Sequence, residues 1–439
     1  MLKFLTILLF LSLPAGAIYL YFDPFWDWET LTHSWSIGMI FGLFAFSAVM
    51  IQFILGSRLK FLDRLFGQDK ILKFHGFLGI LIILFIGGHV LFKNLSEFEK
   101  NLQVFLGFGA SALFNTIIIL SALLMSPILF ARTAPLKALR HWTANKLKVR
   151  YQHLKTIHNL VSVAGVLAAL HTLMASSTSE NLVRPVYLGT WFVLSFSVYL
   201  YHKVIKTLIL RLKPWTVSSI KYESDNILTI SLSPGGEFIH KPGQFVYVSF
   251  QQPGFPTEEH PFTLSSAPHQ QPAFSAKMLG EFTKALKTLQ PGAKAFVDGP
   301  YGLFTISNEP ENRSLVFLAG GIGITPFLSI LRSLPKPIER PIHLLWNTKT
   351  RSDAYAHAEL LSYAQQAPKF HYELLLTQEE APPIKKMRLS SRTLGELINI
   401  AADSAYYICG PDAQMEDLIR CLQKHRVPSR QIHFERFAF

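Results

Sequence analysis

Residues Lys70 to Val90 read KILKFHGFLGILIILFIGGHV, an apolar run that carries His75 near its start and His89 near its end. The two histidines are fourteen residues apart, which places them on nearly the same face of an α-helix and roughly 20 Å apart along its axis. An imidazole is costly to bury in hydrocarbon, so a residue of this kind in a span usually has a binding role. The run therefore predicts a membrane-spanning helix that binds a ligand near each end.

A second apolar run, residues 154–175, carries His158 and His171. Two histidines on each of two helices could clamp two stacked b-type haems, one between His75 and His158 and the other between His89 and His171. The alternative is that the four side chains only pack helices together or lie at the membrane interface. We expect haem ligation, because four imidazoles in two spans are poorly explained by packing.

The second run poses a geometric difficulty. Thirteen residues separate His158 from His171, which leaves the two side chains roughly 140° apart around a regular α-helix. We therefore expect a distortion in this helix, and Gly165 is the candidate position for it. His153 competes with His158 as a ligand, but it would lie about 27 Å from His171 along the axis, too far for that pairing.

Six apolar runs are each long enough to cross a bilayer, which takes about 20 residues. They cover residues 4–22, 35–56, 71–93, 104–130, 154–175 and 186–210. Basic side chains concentrate between alternate runs, five of them in residues 58–73 and seven in residues 132–155. Because Lys and Arg mark cytoplasmic loops, we predict an integral protein of a bacterial-type inner or plasma membrane, with both termini in the cytoplasm.

This topology places His75 and His158 near the cytoplasmic face of the lipid bilayer, and His89 and His171 near the outer face. The first run also resembles a signal peptide, with Lys3 before its apolar core. We favour a retained helix, because the apolar residues continue without a clear polar break.

Composition excludes several classes of protein. The chain has 439 residues, of which 49% are hydrophobic and 16% charged, and its net charge is +13. Such a charge can indicate nucleic-acid binding, but the basic residues cluster between apolar runs as a membrane protein requires, so we expect no nucleic acid as a partner. The two cysteines, Cys409 and Cys421, are too few for a disulfide framework or a four-thiolate iron–sulfur cluster.

The C-terminal half has the pattern of an ordinary α/β enzyme. Pro214 interrupts the helix that leaves the last apolar run. From residue 216 to about 306, short β-branched and aromatic runs alternate with Pro and Gly, as in an antiparallel β-barrel. From Ser314 onwards strands alternate with helical segments, which predicts a doubly wound parallel sheet. We therefore expect three domains, at residues 1–212, 213–312 and 313–439.

The heptapeptide HPFTLSS at residues 260–266 carries a specific resemblance. With this motif the chain resembles the ferric reductase/NADPH oxidase family of transmembrane haem flavoproteins. The resemblance implies that the motif binds FAD, with His260 facing the pyrophosphate, Phe262 the isoalloxazine ring and Thr263 the flavin N5. Other residues of the motif that it assigns to the cofactor are Pro261, Leu264 and Ser265.

Two further motifs could bind anionic groups of cofactors. Gly280, Phe282 and Thr283 precede a helical stretch at residues 284–289, and a helix start with free N–H groups suits the FAD pyrophosphate. A glycine-rich loop follows a predicted strand and opens a helix, which resembles the family's binding loop for NAD(P)H. Its residues are Gly320, Gly321, Gly323, Thr325 and Pro326. Asp298 to Gly302 resembles the turn that closes the family's flavin domain.

The end of the chain carries the residues that the resemblance assigns to catalysis. Cys409, Gly410 and Pro411 end a predicted strand and match the family motif beside the nicotinamide. Phe439, the last residue, resembles the aromatic gate that covers the flavin until the nicotinamide displaces it. The alternatives are a small buried cysteine and a frayed tail.

Taken together, the residues and the resemblance predict a multi-domain membrane protein. We expect a six-helix transmembrane haem bundle, an antiparallel β-barrel FAD domain and a doubly wound α/β nucleotide-binding domain, the last two similar to ferredoxin–NADP reductase. Electrons would pass from cytosolic NAD(P)H through FAD and two haems to an outer acceptor. We favour dioxygen, giving superoxide, over ferric iron, a quinone or a partner protein.

Three points complete these expectations. We see no appended calcium-binding or other regulatory region, so we expect constitutive activity, and no obligatory protein partner is evident. The choice between NADH and NADPH stays open, because the stretch after the strand 372–376 lacks the Arg that would bind a 2′-phosphate. A transporter with a nucleotide-sensing domain is the non-enzymatic alternative, and it leaves the four histidines unexplained.

Overall fold

The computed structural model describes residues 1–23, 27–96, 98–125 and 151–436. The chain divides into two compact units, and the division lies between Thr207 and Leu208. The first unit is helical, and the second contains two β-sheets.

The helices of the first unit fall on the predicted apolar runs, apart from three short helices that lie between the runs. They are α1 (Leu2–Phe22), α2 (Trp28–Thr32), α3 (Ser34–Leu55), α4 (Lys60–Phe66), α5 (Gln68–Asn94), α6 (Leu102–Met125), α7 (Tyr151–Asn159), α8 (Val161–Leu173), α9 (Ser176–Ser179) and α10 (Val183–Leu200), followed by a π-helical turn (Tyr201–Ile205) and α11 (Lys206–Leu212). Six helical stretches of the described residues are long and apolar enough to cross a membrane. The predicted residues 126–130 of the fourth run and most of the second basic loop lie outside the described residues.

Helix α3 forms the centre of the bundle. Its side chains Phe46, Met50 and Phe53 are buried, and it packs against α1, α5, α8 and α10. Helix α1 contributes Leu13 and Ala17, which have no exposed surface. Helix α1 is therefore part of the same hydrophobic core as the other spans.

The expected distortion between His158 and His171 exists, but Gly165 is the wrong position for it. Helix α7 ends at Asn159 and α8 starts at Val161, with the break at Leu160. The N–H of Leu160 donates to the carbonyl of Ile157 at 2.9 Å, a bond to the third residue back that tightens the turn. Gly165 lies inside α8, where a Cβ would collide with the ring of Phe53, so packing explains this glycine.

The first sheet of the second unit is antiparallel and curled. Its strands are β1 (Trp215–Ser224), β2 (Ile227–Ser233), β3 (Phe245–Gln251), β4 (His260–Thr263), β5 (Ala273–Lys277) and β6 (Lys294–Tyr301). They run in the order β4-β3-β6-β1-β2-β5. A closed barrel was expected, but the end strands meet only at an isolated bridge between Leu264 and Phe274. Strand β4 has only four residues, too few for a continuous ladder with β5, so the barrel is not closed.

The second sheet is parallel and doubly wound, as predicted. Its strands are β7 (Leu315–Gly320), β8 (Ile342–Thr348), β9 (Phe370–Leu376), β10 (Lys385–Lys386), β11 (Ala405–Cys409) and β12 (Ile432–Phe434), in the order β10-β9-β8-β7-β11-β12. The order reverses at β7, which marks the crevice where such sheets bind nucleotides.

Helices cover both faces of the parallel sheet. Helices α13 (Thr325–Ser333) and α14 (His357–Gln366) pack on one face, and α15 (Leu394–Leu397) and α16 (Asp412–Lys424) on the other. A short helix, α12 (Glu281–Ala285), belongs to the first sheet and is followed by a 3₁₀ turn (Leu286–Thr288).

Candidate functional site

The helical unit brings the four histidines together in two pairs. The ring of His75 on α5 lies 6.1 Å from that of His158 on α7, centroid to centroid. The ring of His89 on α5 lies 6.0 Å from that of His171 on α8. The break at Leu160 lets the α7–α8 segment present both of its histidines to the same neighbouring helix.

These separations fit a metal ion held between two imidazoles. A metal–nitrogen bond of about 2 Å on each side, plus about 1 Å from each nitrogen to its ring centre, gives roughly 6 Å between centroids. Groups of three or more metal-binding side chains do not occur among the described residues. A porphyrin supplies four nitrogens of its own, so two histidines complete the coordination of its iron.

The second ring nitrogen of three histidines is hydrogen-bonded, which fixes how each imidazole is oriented. Nδ1 of His89 donates to the carbonyl of Gly38 at 2.8 Å, and Nδ1 of His171 lies 2.8 Å from the carbonyl of Gln103 and 2.9 Å from the side-chain amide nitrogen of the same residue. Nδ1 of His158 lies 3.0 Å from Oγ of Ser121. A carbonyl only accepts, so in the His89 ring Nδ1 carries the proton and Nε2 keeps a lone pair for a metal.

Glycines make room for the rings of His89 and His171. A Cβ on Gly42 would lie 2.7 Å from Nδ1 of His89, and a Cβ on Gly107 would lie 2.6 Å from Nδ1 of His171. Any side chain at either position would displace the imidazole. Both glycines come from apolar helices, where sequence alone gives no reason to single them out.

A cavity of about 490 Å³ is lined by His89 and His171, within the usual range of cofactor sites, about 300–1,000 Å³. Its wall includes Lys93, whose ammonium lies 4.1 Å above the ring of Trp35. A cation above an aromatic face is stabilised by the ring's electrons. The residues around His89 and His171 therefore fit a porphyrin between these two rings, with the charge of Lys93 nearby.

The HPFT motif forms β4, which pairs with β3. The ring of Phe262 stacks on Phe274 at 4.3 Å between centroids and is partly exposed, so it offers a flat face to a ligand. Thr263, Leu264 and Ser265 are buried. Nε2 of His260 lies 2.9 Å from a carboxylate oxygen of Glu258.

The motif around Gly280 differs from the expectation. Helix α12 begins at Glu281, three residues before the predicted start. Oγ1 of Thr283 accepts hydrogen bonds from the N–H groups of Leu279 and Gly280, each at 3.0 Å, so these two donors are not free for a pyrophosphate. Phe282 is 4% exposed and stacks beneath the ring of His260, where it supports the motif from the core.

The glycine-rich loop and the cysteine motif lie against each other at the carboxyl edge of the parallel sheet. Strand β11 pairs with β7, with Cys409 opposite Ala319. A Cβ on Gly323 would collide with the carbonyl of Cys409, and a Cβ on Gly410 would lie 3.0 Å from Cα of Gly320. The two backbones can approach this closely only because both positions are glycine.

The loop presents backbone rather than side chains at its tip. Gly321 has a φ of +56°, and a Cβ there would meet open space. Residues Gly321–Ile324 form a 3₁₀ turn that leads into α13, which begins at Thr325 with Pro326 in its first turn. A helix start behind a glycine with open space beside it suits a pyrophosphate, so this loop fits NAD(P)H. Pro411 precedes α16.

Sequence reasoning missed Glu435. This carboxylate is 4% exposed and accepts a hydrogen bond from the N–H of Leu303 at 3.0 Å. Burial raises the pKa of the Cys409 thiol well above its usual range, and the charge of Glu435 adds to the rise. Cys409 is therefore a neutral thiol at physiological pH. The signal in the sequence that could have identified Glu435 is a single acidic residue among the aromatic residues of FERFAF, residues 434–439.

Charged residues beyond the carboxyl edge bear on the nucleotide preference. The N–H of Arg351 donates to the carboxylate of Glu379 at 2.7 Å. Lys385 pairs with Glu373 at 3.2 Å, and Lys386 pairs with Glu380 at 2.8 Å.

Phe439 and the side chain of His153 lie outside the described residues, so the aromatic gate and the competing ligand stay predictions.

Two known domain families match the second unit. Residues 209–305 match the family described as FAD-binding domain, and residues 317–420 match the family described as oxidoreductase NAD-binding domain. These parts of the chain are therefore a flavin reductase module of the ferredoxin–NADP reductase type, an oxidoreductase that uses NAD(P)H and FAD. This result confirms the predicted FAD and nucleotide domains.

Individual relatives agree with these families. The chain is 26% identical to the reductase component of propane 2-monooxygenase from Rhodococcus jostii (strain RHA1), over 53% of this chain and 64% of that protein. It is 28% identical to ferredoxin–NADP reductase B from Sorangium cellulosum (strain So ce56), over 48% and 90%. A ferredoxin NADP+ reductase from Neisseria gonorrhoeae with bound FAD and NADP is similar at a TM-score of 0.46 and 19% identity, over 51% of this chain and 97% of that one.

The match to the Rhodococcus protein spans less than two thirds of that relative's length. The relative is one component of a larger enzyme by name, which is in tension with the prediction that this chain needs no protein partner.

Proposed function

We propose that the chain transfers electrons across a membrane, from NAD(P)H through FAD and two b-type haems to an acceptor on the outer side. The observation that carries this proposal is the pairing of His75 with His158 and of His89 with His171 at about 6 Å. A separation of this size would let the two imidazoles of each pair bind one metal ion between them.

The proposed location is a bacterial-type inner or plasma membrane, with both termini and the flavin module in the cytoplasm. Support comes from six helical stretches that are long and apolar enough to span a bilayer, and from the basic residues between alternate spans. His89 and His171 then belong to the outer side, together with Lys93.

When bound, FAD accepts a hydride from the nicotinamide and releases single electrons, which haems carry one at a time. The chain supplies binding and orientation. Phe262 offers its ring as a stacking face, and Gly321 lets the backbone approach the nucleotide pyrophosphate. Cys409 brings a neutral, buried thiol to the same sheet edge, which excludes water without adding a charge.

We propose dioxygen as the acceptor, giving superoxide. Glu99 is the sole carboxylate among the described residues that line the outer cavity, whereas we would expect an acidic surface for a site that takes chelated iron. Transfer to a partner protein is the second candidate, and the name of the Rhodococcus relative supports it.

The test uses purified full-length protein in detergent, supplied with FAD, haem and NAD(P)H. Superoxide is measured as the part of cytochrome c reduction that superoxide dismutase abolishes, and ferrous iron is trapped in a parallel reaction with a ferric chelate. We expect superoxide production that His89→Ala abolishes while NAD(P)H still reduces the flavin. Turnover that requires an added protein would support the second candidate instead.

A further inference from the structure

Helix α13 connects the nucleotide-binding loop to the flavin-binding loop through two side chains. Oγ of Ser329 donates to the carbonyl of Ser266 at 2.7 Å, and Nη1 of Arg332 donates to the carbonyl of Ser265 at 2.8 Å. Ser329 and Arg332 are three residues apart, so they lie on one face of the helix. Both acceptors are backbone atoms at the end of the HPFTLSS motif.

Arg332 is itself held in a fixed orientation. Its Nε and Nη2 donate to the two carboxylate oxygens of Glu359 at 2.8 and 2.6 Å, the two-pronged geometry that is the most directional ion pair in proteins. The hydroxyl of Tyr363 donates to the same carboxylate at 2.7 Å. With two of its nitrogens fixed, the guanidinium can direct its third only at Ser265.

The contacts lie close to both cofactor-binding motifs. Ser265 follows Thr263, which the resemblance places at the reactive edge of the flavin, by two residues. At its other end, α13 begins at Thr325, directly after the glycine-rich turn. A single helix of nine residues therefore spans the distance between the nucleotide loop and the flavin loop. The contacts of Ser329 and Arg332 are made to backbone carbonyls of the flavin loop, which do not move when a side chain rotates.

We propose that Ser329 and Arg332 are positioning residues that set the distance between the nicotinamide and the flavin. In that step the C–H bond of the reduced nicotinamide breaks and its hydride, with both electrons, forms an N–H bond on the flavin, leaving oxidised NAD(P)+. Transfer rates depend steeply on this distance, because a misplacement of about 1 Å can cost 100-fold. The inference rests on the NAD(P)H-to-FAD half of the proposed function and is independent of the haems.

The experiment measures flavin reduction by rapid mixing, with ordinary and deuterated NAD(P)H, in full-length protein carrying FAD. The variants are Arg332→Lys, which keeps the charge but loses the two-pronged geometry, and Ser329→Ala, a small change that preserves the fold. Lys277→Gln is the matched control, because the Lys277–Asp353 ion pair at 2.9 Å joins the same two domains without touching the flavin loop.

We expect Arg332→Lys and Ser329→Ala to slow flavin reduction about 10–100-fold, with a larger deuterium isotope effect and a change in NAD(P)H affinity below about threefold. The long-wavelength charge-transfer absorbance between nicotinamide and flavin should weaken in parallel. Lys277→Gln should leave all three readouts close to those of the unmodified protein.

Two results would overturn the inference. One is an unchanged rate and isotope effect in both variants, and the other is a decrease that Lys277→Gln reproduces, which would indicate domain packing alone. If the unmodified protein binds FAD but NAD(P)H does not reduce it, the proposed function fails together with this inference. A loss confined to haem reduction would contradict the haem proposal and leave the positioning role intact.

Discussion

The imidazole rings of His89 and His171 lie 6.0 Å apart and nearly perpendicular, at an interplanar angle of 80°. Nδ1 of His89 lies within hydrogen-bond distance of the backbone carbonyl of Gly38 on α3, and Nδ1 of His171 within hydrogen-bond distance of that of Gln103 on α6. Hydrogen-bond partners of this kind hold metal-binding histidines in a fixed orientation.

Replacing one histidine should remove one haem only. We expect His171→Ala to reduce the haem content of the purified protein from about two to about one per chain, because an iron with one axial ligand is held weakly. His33→Ala is the control, since His33 lies outside both pairs and caps α3. Loss of both haems, or of neither, would contradict the assignment of the pairs.

A side chain that crowds the His171 ring should weaken haem binding at that site. Gly107→Ala introduces a Cβ that would lie 2.6 Å from Nδ1 of His171, so we expect haem affinity at that site to fall roughly 10–100-fold. Gly109→Ala on the same helix is the matched control, because its Cβ would meet only Leu167 at 3.8 Å. Titration of haem into haem-depleted protein measures both affinities, and equal losses would exclude a specific effect on His171.

Removing the cation near the outer pair should change a redox potential. The charge of Lys93 in the cavity wall would stabilise a reduced haem bound there, so Lys93→Gln should lower one midpoint potential by a few tens of millivolts, equivalent to about 1 kcal/mol at an effective dielectric constant of about 20. Lys100→Gln, at an exposed position, should leave both potentials unchanged. An optical redox titration distinguishes this outcome from a shift of both haems.

The two cysteines should behave differently on substitution. Cys409 lies at the sheet edge against the glycine-rich loop, so Cys409→Ser should slow flavin reduction by NAD(P)H roughly 10-fold or more. Cys421 is buried elsewhere in the same domain, and Cys421→Ser should have little effect on this rate.

Because burial raises the pKa of Cys409, the rate of flavin reduction should show no ionisation from this thiol between about pH 6 and 9. A step in that range which Cys409→Ser removes would contradict a neutral thiol.

The ion pair of Arg332 and Glu359 predicts a pH-dependent contribution to stability. Burial would raise the pKa of Glu359, but the hydrogen bond and charge of Arg332 outweigh burial and hold the pKa below its usual value. A lowered folded-state pKa stabilises the protein above the unfolded pKa of about 4.3, and this stability is lost as pH falls through the folded value.

Glu359→Gln should therefore lower the Tm by about 2–4 °C at neutral pH. The Tm is measured from the release of flavin on heating. The difference from the unmodified protein should shrink as pH approaches about 4. Glu339→Gln, at an exposed position, is the control. A difference that is constant with pH would show that the ion pair is not its source.

Spacing along single helices and strands was sufficient to predict much of this structure. The apolar runs, the two histidines on α5 and the parallel sheet all follow from patterns within about 30 residues. The position of the break at Leu160 does not, because the ring of Phe53 on another helix occupies the space beside Gly165 and keeps that turn of α8 regular.

Residues whose importance depends on distant partners were missed. Glu435 acquires its role from the N–H of Leu303, 132 residues away, and Arg332 from the carbonyl of Ser265, 67 residues away. Thr283 shows the converse, since its hydroxyl satisfies two N–H groups that the sequence suggested were free for a phosphate. Contacts of this kind follow from tertiary packing, which periodicity does not report.

The most direct test of the whole account is the reduced-minus-oxidised absorption spectrum of the purified full-length protein, with a haem count per chain. We predict about two b-type haems, both reduced by NAD(P)H once FAD is supplied. A protein that binds FAD and reacts with NAD(P)H but takes up no haem after haem-replete expression would contradict the central claim, and the paired histidines would then need another explanation.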